Sequence, residues 1–63
     1  MCLSTVYKNT QEPENVLMKN VMTIECDGPD VILTDLMGRQ MVIHGELKKA
    51  SLTDGFALVR ESA

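Results

Sequence analysis

The chain predicts an all-β domain of about five to seven short antiparallel strands, and three observations predict it. Short runs of β-branched and other apolar residues alternate with polar ones along most of the length. Tight-turn chemistry at Asp27-Gly28-Pro29-Asp30, Met37-Gly38-Arg39 and Asp54-Gly55 punctuates those runs at regular spacing. Heptads, internal repeats and linkers are absent, so residues 1–63 form a single domain.

Cys2 to Lys8 opens the series, with Leu3, Thr5 and Tyr7 on one face and Cys2, Ser4 and Val6 on the other. Both faces carry apolar groups, which suits a strand that meets the core on one side and a partner on the other. Asn9 to Asn15 is polar and contains Pro13, so it reads as a surface loop. Val16-Leu17-Met18 is too short to classify and fits either the start of a strand or one helical turn.

From Asn20 the alternation is plain. Met22, Ile24 and Cys26 share a face, and on that spacing Cys26 reads as a small core residue. Val31 to Leu36 is the next strand and Gln40 to His44 the one after it. Gly45 marks a bulge or sharp bend. Glu46 to Thr53 fits helix or strand, and the hairpin signal at Asp54-Gly55 before Phe56-Ala57-Leu58-Val59 decides for strand. Glu61-Ser62-Ala63 reads as a frayed end. Strands of this length and number close most simply into a small SH3-like barrel.

Sixty-three residues barely support one apolar core, and folds of this size recruit disulfides, a metal or a second copy of themselves. Two cysteines make at most one bridge, which leaves metal binding and homodimerisation. Neither a membrane span nor a secretory leader is legible, so the expected location is cytoplasmic, where Cys2 and Cys26 stay reduced.

The net charge of −3 and the aromatic complement of Tyr7 and Phe56 argue against nucleic-acid binding, which draws on clustered Lys and Arg and on stacking rings. No catalytic constellation is visible, and the isolated glycines form no phosphate loop, so the chain does not read as an enzyme. His44 is read as a half-exposed strand residue in preference to a ligand. Met18, Met22, Met37 and Met41 are read as core or interface filling in preference to a soft-metal site.

Cys2 stands apart because it adjoins the terminal amine. If Met1 is retained, its amine, the Cys2 amide nitrogen and the Cys2 thiolate together make fused chelate rings around a strongly bound metal, and if it is removed the new Cys2 amine and the thiolate still make one ring. Mixed nitrogen and thiolate donors in a plane suit Ni(II) or Cu(II), whereas Zn(II) asks for a tetrahedron. A small residue near a chain end explains Cys2 equally well on residue chemistry alone.

Met1-Cys2-Leu3-Ser4-Thr5-Val6-Tyr7, Val31-Ile32-Leu33-Thr34-Asp35-Leu36-Met37-Gly38, Gly45-Glu46-Leu47-Lys48-Lys49 and Leu58-Val59 resemble the CooT family of small nickel-binding proteins. The resemblance implies an SH3-like homodimer that binds one Ni(II) near its two copies of Cys2. It also implies a nickel-enzyme client such as carbon monoxide dehydrogenase. Some members are labelled predicted RNA-binding proteins, and an RNA-binding module using Arg39, Lys48, Lys49 or Arg60 is the alternative reading. The hairpin Thr53-Asp54-Gly55-Phe56 departs from many members, which carry a histidine there.

Overall fold

The structure is a computed structural model describing residues 3–62. Five strands run in chain order around one closed sheet: β1 (Ser4–Lys8), β2 (Val16–Asp27), β3 (Asp30–Asp35), β4 (Gln40–Ser51) and β5 (Phe56–Glu61). Every consecutive pair is antiparallel, but β1 and β5 pair in parallel, Thr5 opposite Phe56 through Lys8 opposite Val59. The expectation of an antiparallel sheet throughout is corrected here, for a reason of parity. An odd number of alternating strands that closes on itself brings its first and last members together pointing the same way.

Two long strands, β2 and β4, each serve two neighbours. Residues Val16–Val21 of β2 pair with β1, and Val21–Asp27 pair with β3. The ambiguous Val16-Leu17-Met18 segment is thus the first part of a long strand. Asn20 sits at the changeover with φ of 57°, a left-handed conformation that asparagine tolerates better than most residues. Its carbonyl accepts the Leu36 amide at 2.9 Å. Gln40–His44 of β4 pair with β3 and Gly45–Ser51 pair with β5, so Gly45 marks the second changeover. The strand continues through Gly45, and the register shift falls between Leu47 and Lys49.

The polar loop folds into a 3-10 turn at Pro13–Asn15, with proline in its first turn, where the missing N–H costs nothing. Asn15 Nδ2 donates to Thr10 Oγ1 at 2.7 Å and ties the loop to itself. Asp27 pairs with Asp30 around Gly28-Pro29, a two-residue hairpin loop with Gly28 at φ 59°. At the last hairpin the Gly55 amide donates to Ser51 O, and Gly55 O accepts from the Thr5 amide. β5 continues to Glu61, and the Ser62 amide donates to His44 O at 2.7 Å, so the segment read as frayed is paired to that point.

The core is Val6, Val21, Val31, Leu33, Ile43, Ala57 and Val59, with Leu17, Met18, Ile24 and Met41 packed against it. Alternation is clean along β3, where every second residue is buried, and along β5 as far as Val59. Cys26 is exposed, which corrects its reading as a core residue. It faces the same way as its partner Val31 but lies past Val21, where β1 no longer pairs with the other edge of β2. Of the four methionines read as filling, Met18 and Met41 reach the core, whereas Met22 and Met37 are 46% and 77% exposed.

One charged side chain is buried. Asp35 Oδ1 accepts the backbone amides of Met37 and Arg39, each at 2.9 Å, and Oδ2 accepts Arg39 Nε at 2.7 Å. Burial pushes this carboxyl upward. The Arg39 amide, the Arg39 guanidinium and the Met37 amide outweigh it and hold Asp35 below the usual aspartate range.

Candidate functional site

Met1 and Cys2, the residues that carry the sequence-level metal reading, lie outside the described residues. The structure fixes the ground immediately after them. β1 is clamped from both sides, Ser4 opposite Val21 of β2 and Thr5 opposite Phe56 of β5. The Thr5 amide donates to Gly55 O at 3.0 Å, so the chain just past Cys2 is tied to the last hairpin.

Ser4 also borders an apolar groove of about 310 Å³ between the far halves of the two long strands. Val21, Met22 and Ile24 form one wall, and Leu47, Ala50 and Leu52 form the other. Leu52 is 82% exposed and Leu47 36%. These are large apolar groups on the rim of a very small core. Beyond Val21, the β1-facing edge of β2 has no strand partner among the described residues, and neither has the β3-facing edge of β4 beyond Gly45. Leu52 was legible only as a strand residue before a turn, and the turn beginning there leaves it uncovered.

Among the described residues no group of three or more His, Cys, Asp or Glu side chains is arranged to hold a metal ion. His44 is a strongly exposed strand residue whose Nδ1 lies 2.5 Å from Asp30 Oδ1, and this surface hydrogen bond accounts for its position. Of the cations of the RNA reading, Lys48, Lys49 and Arg60 lie on the paired strands β4 and β5. Arg39 is bound to Asp35 in the β3–β4 turn, before β4 begins. Lys48 and Lys49 sit in the far half of β4, with Lys49 Nζ 5.7 Å from the Phe56 ring centre. Arg60 faces Glu46 at 3.6 Å and Lys8 faces Glu61 at 3.4 Å. No helix among the described residues is long and apolar enough to cross a membrane.

The chain is a small all-β domain, a five-stranded closed sheet with an apolar rim beside its N-terminal strand. The same fold occurs in a crystal structure assigned as CooT from Carboxydothermus hydrogenoformans. That structure superposes with a TM-score of 0.83 over 98% of this chain and 100% of that one, at 18% sequence identity. No protein of curated function matches the chain. The family model described as "CO dehydrogenase accessory protein CooT" matches residues 1–59, and the chain belongs to that family. The family is one of accessory proteins, not of catalysts.

Proposed function

We propose that this protein is a nickel-binding accessory protein of carbon monoxide dehydrogenase, a metallochaperone, store or sensor that catalyses no reaction itself. Nickel is its cargo. Cys2 supplies the thiolate, and the Met1 amine with the neighbouring backbone nitrogen supplies nitrogen donors, a set suited to Ni(II). The observation that carries the reading is the family match, which begins at residue 1 and so takes in the Met1-Cys2 pair. The absence of a ligand cluster among the described residues is consistent with donors that lie in residues 1 and 2.

One chain offers a single thiolate there, so the site is completed by a second copy. The protein is a homodimer in this reading, SH3-like in each half and cytoplasmic. The groove bounded by Met22, Ile24, Leu47 and Leu52 is the surface the partner covers. It borders Ser4, two residues after Cys2, so burying it across a two-fold axis brings like N-terminal segments towards each other.

The test is an anaerobic Ni(II) titration of the reduced protein, followed by absorption with oligomeric mass measured alongside. A thiolate-to-nickel charge-transfer band saturating at about one metal per dimer, and lost in Cys2→Ser with the fold intact, is the expected result. Retained binding in Cys2→Ser would overturn the site. A native chain that takes up no nickel would bring RNA binding forward.

A further inference from the structure

A second groove shares no lining residue with the one beside Ser4, and nothing in the nickel reading uses it. It holds about 400 Å³ between the first half of β2 and the β3–β4 turn. Leu17 and Met18 contribute its apolar part, and Lys19 and Arg39 its exposed charges. The carboxylate of Asp35, which also lines it, is buried and engaged by three N–H donors. Arg39 spends Nε on Asp35, which fixes the guanidinium plane, while its terminal Nη donors have no partner among the described residues. Lys19 is exposed and in no ion pair among the described residues.

The same turn presents apolar side chains. Leu36 is 52% exposed and Met37 more so, yet both are held by the backbone. The Leu36 amide donates to Asn20 O and the Met37 amide to Asp35 Oδ1. A rigid tip with exposed Leu and Met beside a pair of cations is costly to leave in water and cheap to order on binding.

The geometry points to this groove as a docking site for a partner protein's segment that carries a carboxylate next to an apolar side chain. Charge complementarity chooses the occupant. On a chain of net charge −3, both exposed charges of this groove are positive. The carboxylate is taken by Arg39 and Lys19, and the apolar neighbour packs against Leu36 and Met37. Two cations neutralise too few phosphates to hold a nucleic acid, and the flanking apolar groups add nothing to a phosphate backbone. In the proposed dimer a second copy of this chain takes the more apolar groove beside Ser4.

The experiment uses nitrogen-15-labelled full-length protein without nickel. It is titrated with a blocked pentapeptide alternating leucine and glutamate, and with the same peptide carrying lysine in place of glutamate. The acidic peptide shifts the amides of Lys19, Asn20, Leu36, Met37 and Arg39, weakens as salt rises, and the basic peptide does not bind. Lys19→Glu and Met37→Ser change side chains that make no hydrogen bond or ion pair in the fold, and each raises the dissociation constant about fivefold or more. Cys2→Ser binds the peptide as the native chain does, so the result stands apart from the nickel site. Equal binding of both peptides, shifts elsewhere on the surface, or no shift at about 10 mM peptide would overturn the proposal. Binding of a short single-stranded RNA in preference to the acidic peptide would overturn it in favour of the other class.

Discussion

The backbone of Arg60 passes so close to Gly45 that a β-carbon on residue 45 would run into the Arg60 carbonyl oxygen and stand 2.9 Å from Glu61 Cα. Both obstacles are main-chain atoms of the paired strand, so neither can rotate away. Gly45→Ala is expected to cost about 3 kcal/mol and to lower the melting temperature by roughly 15 °C in a domain this small. Gly28→Ala is the comparison, because Gly28 has positive φ but open space around it, and left-handed strain alone costs about 1–2 kcal/mol. Equal melting temperatures for the two variants would show that β4 and β5 do not need this close approach.

Asp35 makes stability depend on acid. Its folded-state pKa is held below the ordinary aspartate value by the Arg39 and Met37 donors, against the pull of burial. The unfolded chain therefore binds the proton more readily than the folded one. The stabilisation is fully present above the ordinary aspartate pKa of about 3.9, and is lost as pH falls through the lower folded value. Urea unfolding between neutral pH and about pH 2 should show the native chain losing more stability than Asp35→Asn, which starts less stable at neutral pH. Parallel curves would remove Asp35 from the acid response.

The exposure of Cys26 separates the two thiols by experiment. Cys26 is the only thiol among the described residues, and no group of three ligand types is arranged around it to hold a metal. Cys26→Ser is expected to keep the native nickel stoichiometry and melting temperature, whereas Cys2→Ser loses the metal. A loss of nickel in Cys26→Ser would bring the β2–β3 end of the barrel into the site.

Met22 lies on the wall of the apolar groove, and a carboxylate there would be buried without a partner if a second copy seats on it. Met22→Glu should weaken the dimer by at least about 2 kcal/mol, visible by sedimentation equilibrium at micromolar concentration. An unaltered dimer would place the interface on another face, and a native chain that stays monomeric at high concentration would remove it altogether.

Turn chemistry was the most legible part of this fold. Asp27-Gly28-Pro29-Asp30 and Asp54-Gly55 close hairpins because glycine tolerates left-handed backbone and proline surrenders a donor, properties that act locally. Burial was less legible, because alternation assigns a face to Cys26 but does not reveal that the strand outruns its core. The parallel pairing of β1 with β5 follows from strand count and closure, which no local window contains. The buried role of Asp35 had a weak signal, an aspartate at the entrance to a Met37-Gly38-Arg39 turn, where such side chains commonly cap amides. Of the proposed site, residue chemistry left Cys2 open between ligand and small terminal residue and the family resemblance decided for ligand, while the apolar rim that adjoins Ser4 needed Leu47 and Leu52 to be brought beside Met22.

Closure of the sheet by β1 against β5 also sets an order of events. β1 is the first of the five strands, yet its second neighbour, Phe56–Val59, belongs to the last of them. Contacts between such distant parts form late and slow the search for the native state. The segment that follows Cys2 is therefore clamped on both sides only after all five strands have been made. Under the proposed nickel reading, selective metal loading then belongs to the closed sheet and not to the partly made chain.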